Sequence, residues 1–222
     1  MRAPVVMINF KAYVEVQGER AVSLAEACQE VSDETGVIIS VCPPVTELSA
    51  VARAVTLPVL AQHVDAKRPG AATGHITPEL AKAAGARGTL LNHSERRMVL
   101  ADLGVAVQLC KEAGLITCVC TDTRATSAAA ASLEPNMIAV EPPELIGGDV
   151  SVTDANPAIV SETVTAVHRV DEDIQVLCGA GIKTGRDVKK AIELGAAGVL
   201  LASGVVKNKE PRKVLADLVQ FL

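Results

Sequence analysis

Short runs of β-branched and apolar residues recur eight times along this chain, and between them lie Ala-rich segments whose apolar residues follow helical spacing. The runs fall near 4–10, 36–41, 58–63, 87–92, 115–121, 136–140, 174–179 and 198–202. Such alternation dictates a parallel sheet with helices packed outside it, because parallel neighbours need a crossover connection and that connection covers a sheet face. The segment 16–33 shows the pattern: Ala21, Leu24, Ala25 and Cys28 mark one face of a helix, and Gly36 stands where a left-handed residue would end it. Gly85, Gly114 and Gly195 stand in the same place before later runs. Eight βα units in 222 residues allow roughly 28 residues each, a little tighter than the ~250-residue norm of a (β/α)8 barrel. The expectation is an α/β chain forming one (β/α)8 barrel domain over residues 1–222. An open doubly wound sheet is the competing topology, since periodicity does not tell whether the eighth strand pairs with the first.

With 49% hydrophobic and 21% charged residues, the chain has the apolar content for a packed core. Its aromatic residues are Phe10, Tyr13 and Phe221, too few to offer the stacking platforms of single-strand or RNA binders. A formal charge of −5 argues further against a nucleic-acid partner. The six cysteines form no dense framework, and Cys118-x-Cys120 has the spacing of neither a zinc knuckle nor a redox pair. Strand alternation puts those two on one face, as small buried hydrophobes in a reducing compartment. The opening Met1-Arg2-Ala3-Pro4 and its short apolar run do not resemble a signal segment, and no run reaches membrane-spanning length. These features lead us to expect a cytoplasmic protein with no membrane partner.

The chemistry-bearing residues cluster at the ends of expected strands. After the first stands Asn9-Phe10-Lys11, whose alternation sends Asn9 and Lys11 to one side. After the fourth comes Asn92-His93-Ser94-Glu95-Arg96-Arg97, where Ser94 reads as the N-cap of a new helix. The field at such a terminus disfavours an imidazolium and leaves His93 neutral, able to donate one hydrogen bond. After the sixth, Val140-Glu141-Pro142 sets a lone carboxylate at the start of a long connection. Taken alone, each residue reads more readily as a solvated or satisfied strand-end polar group. All three lie at C-terminal strand ends, where a barrel places its active site.

Glycines make an independent case for an anion. Ile146-Gly147-Gly148, Cys178-Gly179-Ala180-Gly181 and Ala202-Ser203-Gly204 follow strands six, seven and eight, and bare backbone there can aim N–H groups at a phosphate. The last of these is expected to open a short helix. A dinucleotide fingerprint fails on spacing, because Gly179-x-Gly181 is followed by Gly185 and not by a glycine at 184. Lys183 and Lys207, close to these turns, are read as surface charges. Two long stretches after strands, 64–77 and 141–156, carry Pro and Gly and suit functional loops.

With these residues in place, the sequence resembles the triosephosphate isomerase family from end to end. The resemblance is carried by Asn9-x-Lys11, Ala61-Gln62, Gly70-Ala71-Ala72-Thr73-Gly74, His93-Ser94-Glu95-Arg96-Arg97, Glu141-Pro142 and Ile146-Gly147. Its short length, Cys178-Gly179-Ala180-Gly181 and Ala202-Ser203-Gly204 are similar to the compact archaeal branch. The resemblance implies an aldose–ketose isomerase of glycolysis and gluconeogenesis that interconverts dihydroxyacetone phosphate and glyceraldehyde 3-phosphate without metal or organic cofactor. It makes Glu141 the base, His93 and Lys11 the electrophiles, and Asn9 and Glu95 their supports, which is the family's general arrangement. Asn9, Lys11, Gly147, Gly181, Ser203 and Gly204 would hold substrate and its phosphate. It also implies self-association, as a homotetramer or homodimer, with the 64–77 loop at an interface. Some positions depart from the commonest family pattern: Asn92 stands for a usual glycine, Gly181 for a serine, Ser203 for a glycine and His75 for an acid. Val140-Glu141-Pro142-Pro143-Glu144 lacks the aromatic anchors usual around this acid.

The implied chemistry suits the residues. A C–H beside a carbonyl is far less acidic than a carboxyl group, so the base needs partners that stabilise the oxyanion as it forms. One carboxylate can move a proton between adjacent carbons on one face. A segment starting at Pro142 and ending at Gly148 would serve as a lid, keeping water from an enediolate prone to lose its phosphate.

Overall fold

The computed structural model describes residues 4–142 and 157–222. Eight strands form one parallel sheet: β1 Val5–Asn9, β2 Ile38–Cys42, β3 Leu60–Ala61, β4 Gly88–Leu91, β5 Ile116–Thr121, β6 Met137–Val140, β7 Gln175–Cys178 and β8 Gly198–Leu201. Each lies in one of the runs expected from the sequence, displaced by a residue or two at its ends. The described helices are α1 Glu19–Thr35, α2 Leu48–Ala54, α3 Pro78–Ala83, α4 Leu100–Ala113, α5 Arg124–Ala131, α6 Pro157–His168, α7 Gly185–Glu193, α8 Ser203–Val206 and α9 Pro211–Val219. Gly36 and Gly114 end α1 and α4 in the left-handed conformation, with φ of 72° and 70°, as their lack of a Cβ permits.

The topology is decided at β1, which pairs in parallel with β2 on one side (Val5 to Ile38 through Asn9 to Cys42) and with β8 on the other (Val5 to Gly198 through Ile8 to Leu201). An open sheet would leave the first and last strands apart, so the doubly wound alternative is excluded. The remaining strands follow in the order β8-β7-β6-β5-β4-β3. The ring shuts between β2 and β3 through a single parallel bridge from Val41 to Val59, with Val41 N–H donating to the Pro58 carbonyl at 3.1 Å.

Two cores result from strand alternation. Inward residues Val5, Met7, Cys42, Leu60, Leu90, Cys118, Cys120, Ala139, Leu177 and Leu200 fill the barrel. Outward residues such as Val6, Ile8, Ile39, Val119, Ile138 and Val199 pack against helix residues including Leu24, Leu103, Val160, Val188 and Leu215. Cys118 and Cys120 share the interior face, as their spacing requires. All six cysteines are free and buried. Burial pushes the thiols of Cys28, Cys110 and Cys178 up to about 12, which leaves them packing groups and not nucleophiles.

Candidate active site

The C-terminal rim of the barrel gathers the expected residues. Asn9, Lys11, His93 and Glu141 line one cavity of about 330 Å3 together with Gly179, Gly181, Lys183, Ser203 and Gly204. Four of these come from the ends of β1, β4 and β6, and the rest from the turns after β7 and β8. Gly147 and the segment 143–156 lie outside the described residues, and with them the expected lid.

Lys11 sits just past β1 with φ of 52°, a conformation that costs a residue with a Cβ free energy and persists only where surroundings fix it. Both of its backbone groups are held by side chains. Its N–H donates to Asn9 Oδ1 at 2.9 Å, and its carbonyl accepts from Gln62 Nε2 at 2.9 Å. The second hydrogen of that amide goes to the Cys42 carbonyl, also at 2.9 Å. The Lys11 ammonium meets Glu95 Oε1 at 2.6 Å. Asn9 and Glu95 therefore support Lys11 in different ways, one through its backbone and the other through its charge.

His93 is 7% exposed. Its Nδ1 accepts a hydrogen bond from the backbone N–H of Glu95 at 3.1 Å, so Nδ1 carries no proton and the single ring hydrogen belongs to Nε2. The imidazole is neutral, with its donor facing the cavity. That hydrogen bond, and not the helix terminus read in the sequence, fixes the ring's orientation. Ser94 does not cap a helix, because α4 begins only at Leu100 with Val99 at the N-cap position. Residues 92–98 form a closed loop around Asn92 instead. Asn92 Oδ1 accepts from Met98 N–H at 2.9 Å, its Nδ2 donates to the Cys120 carbonyl at 2.9 Å, and its own carbonyl accepts from Arg97 Nη1 at 2.9 Å. A side-chain amide that satisfies two backbone groups outcompetes the single bond a serine cap offers. Asn92 has φ of 58°, which explains why asparagine can stand where glycine is common: it is among the side chains that best tolerate left-handed backbone.

Glu141 follows β6, and its N–H donates to the Thr121 carbonyl of β5 at 2.7 Å. The residue is 4% exposed. Oε1 stands 3.3 Å from His93 Nε2, and Oε2 is buried with no hydrogen-bond partner among the described residues. A buried carboxylate oxygen left without a donor is costly. It is also an oxygen whose lone pairs remain available to accept a proton. Beneath it, burial together with the Glu141 charge raises the Cys118 and Cys120 thiols far above their usual value, so neither competes as an acid.

On the other side of the cavity, Gly181 turns with φ of 69°. The short helix α8 opens at Ser203, as expected from Ala202-Ser203-Gly204. The N–H groups of Ser203 and Gly204 begin that turn and have no earlier helical carbonyl to donate to. Lys207 is not at the cavity; its ammonium lies over the Tyr13 ring, 4.2 Å from the centroid. Lys183 is among the lining residues and is exposed. Gln62 is the contributor whose role sequence alone did not reveal, because its partners are backbone carbonyls of two other strand ends.

The 64–77 loop is pinched at its base. Asp65 N–H donates to the Ile76 carbonyl at 2.7 Å, and Ile76 N–H returns a bond to Asp65 Oδ2 at 2.7 Å. His63 Nε2 lies 3.2 Å from Asp65 Oδ1 and His75 Nδ1 lies 3.3 Å from Oδ2. Burial alone would raise the Asp65 carboxyl, but the Ile76 N–H and the two imidazoles overcome it and hold the group below the ordinary aspartate value.

Comparison with known proteins agrees with this geometry. Residues 4–222 match the profile of the family described as triosephosphate isomerase. A triosephosphate isomerase of Methanoculleus marisnigri is 51% identical over 222 residues, covering 100% of both chains. One from Methanopyrus kandleri is 51% identical, covering 100% of this chain and 99% of its own. The crystal structure of triosephosphate isomerase from Bartonella henselae shares the fold at 20% identity, with a TM-score of 0.75 over 99% of this chain and 100% of that one. Identity at this level, sustained along the chain, leaves one assignment: the chain belongs to the triosephosphate isomerase family.

Proposed function

We propose that this cavity interconverts dihydroxyacetone phosphate and D-glyceraldehyde 3-phosphate, with Glu141 as the base and with His93 and Lys11 as electrophiles. The observation that carries this reading is the arrangement of one buried carboxylate: Glu141 offers an Oε2 with no hydrogen-bond partner among the described residues, while its Oε1 stands 3.3 Å from His93 Nε2. Oε2 takes the proton from the C1 carbon of the ketose, and the electron pair moves through the new C1–C2 double bond onto the C2 oxygen. His93 Nε2–H and the Lys11 ammonium stabilise that oxyanion where it forms. Return of the proton to C2, with proton transfer between the two oxygens, yields the aldose. The N–H groups of Gly181, Ser203 and Gly204 receive the phosphate, which fixes the reacting carbons against Glu141.

A Schiff-base aldolase would need a lysine inside the barrel. Among the described residues no lysine is buried, and this favours the isomerase. Self-association through the 64–77 loop belongs to the same reading. Residues 67–75 are exposed apart from the half-buried Ala72, while Asp65 holds the loop's base. Among the described residues no helix is long and apolar enough to cross a membrane. We take the cytoplasm as the site of action on the strength of the substrate.

The test is a coupled assay with glyceraldehyde 3-phosphate on chelator-treated protein, with Glu141→Gln beside the wild type. Full turnover after chelation and a loss of ~10²-fold or more in the folded variant are expected for removal of a general base. Equal turnover by the variant would end this assignment.

A further inference from the structure

The two turns that face the cavity from β7 and β8 rest on the same helix. α9 packs against both α7 and α8, and its Leu215 and Leu218 share one core with Ile182, Val205 and Val206. The turn after β7 is tied down at both ends. Gly179 N–H donates to the Val140 carbonyl of β6 at 2.8 Å, and Gly185 N–H, at the start of α7, donates to Asp217 Oδ2 of α9 at 2.9 Å. Between those ties lies Gly181 at the cavity wall, its N–H without an acceptor among the described residues.

The tie to Asp217 differs in kind from the bonds beside it. Asp187 Oδ2 accepts from the N–H groups of Lys183 at 3.1 Å and Thr184 at 2.8 Å, and Thr184 Oγ1 accepts from Asp187 N–H. Those bonds reach three or four residues along the chain; they shape the entry to α7 but do not place it in the molecule. The bond to Asp217 spans 32 residues, and it does. The contact is also close. A Cβ on residue 185 would come within 2.1 Å of the Asp217 carbonyl oxygen, so α7 begins directly on the last turn of α9. Gln220 Nε2 donates to Asp217 Oδ1 and, at 3.0 Å, to its carbonyl, which leaves Oδ2 to Gly185. Asp217 is exposed, yet the N–H it receives belongs to a buried glycine, and a buried donor deprived of its acceptor is costly. We propose that Asp217 is a positioning residue of the phosphate site: through Gly185 it holds the 179–184 turn at the separation from Ser203 and Gly204 that lets one phosphate bond to both turns. The proposal rests on the triose-phosphate reading of the site.

The experiment compares wild type with three variants. Asp217→Ala removes the acceptor, Asp217→Asn keeps an amide oxygen that can take the Gly185 N–H, and Gln220→Ala frees the carboxylate from the amide that orients it. For Asp217→Ala, KM for glyceraldehyde 3-phosphate and Ki for inorganic phosphate rise together by ~5-fold, the scale of one lost hydrogen bond. The preference for glyceraldehyde 3-phosphate over unphosphorylated glyceraldehyde, as a ratio of kcat/KM, falls by the same factor. Asp217→Asn keeps both constants within ~2-fold of wild type, because the hydrogen bond persists. A folded Asp217→Ala with wild-type KM and phosphate Ki overturns the proposal. So does an equal loss on both substrates, which marks a structural role. Should Asp217→Ala not fold, Gln220→Ala decides: rises of ~2-fold in KM and Ki support the proposal, and wild-type values overturn it. A wild type inactive on triose phosphates defeats the site reading itself, whereas an active wild type with an indifferent Asp217→Ala defeats only the positioning role.

Discussion

Glu141 lies against the bare Cα of Gly179: a Cβ placed on residue 179 would come within 2.6 Å of Glu141 Cγ and 3.0 Å of the Val140 carbonyl oxygen. The strand pairing leaves the turn little freedom to retreat, since Gly179 N–H donates to that same carbonyl at 2.8 Å. Gly179→Ala must therefore move the carboxylate. We expect kcat to fall ~10-fold or more because a base displaced by a fraction of an ångström loses its line to the substrate. Stability should fall by about 1–3 kcal/mol, as for other overpacked sites. Steady-state kinetics and urea denaturation check both, and an unchanged kcat would show that Glu141 tolerates the shift.

Lys11 and Glu95 should respond unequally. Lys11→Met removes the cation at the forming oxyanion, and a loss of ~10²–10³-fold in kcat/KM is expected from such a deletion. Glu95 is 58% exposed, so Glu95→Gln should change stability by less than about 1 kcal/mol while lowering kcat, because the ammonium loses the partner that aims it. Near-normal kinetics in Lys11→Met with both trioses would remove its electrophilic role.

The 64–77 loop should give stability a pH dependence through His63. Burial is the largest influence on this imidazole and lowers its proton affinity, Arg96 adds to that, and Asp65 opposes without reversing it. The folded value lies below the ordinary 6.5, so as pH falls through 6.5 the unfolded chain binds the proton first and stability declines. Above 6.5 the contribution is complete. The urea midpoint should be lower at pH 5.5 than at pH 7.5, and His63→Asn should shrink the difference. The same difference in both proteins would mean that another group is responsible.

What the sequence revealed and what it hid divide along a physical line. Alternation and helical spacing are local properties, and they located all eight strands and the glycines that end α1 and α4. Asn9, Lys11, His93 and Glu141 were legible because strand ends on one barrel rim converge wherever they stand in the chain. The loop 92–98 was misread because two local signals compete there, and only the spatial proximity of the Cys120 carbonyl favours the Asn92 amide over the Ser94 hydroxyl. Gln62 and Asp217 were obscure for a related reason. A glutamine with backbone partners, or an aspartate on a helix, has no spacing that distinguishes it from its solvated counterparts.

The Gln62 amide spans the place where the ring is joined by a single bridge, and it grips the carbonyls of Cys42 and Lys11 at once. Any breathing of the barrel along that seam would slacken Lys11 before the other strand ladders part. Under mild heating or denaturant, this enzyme would fall silent while its spectrum still looked native.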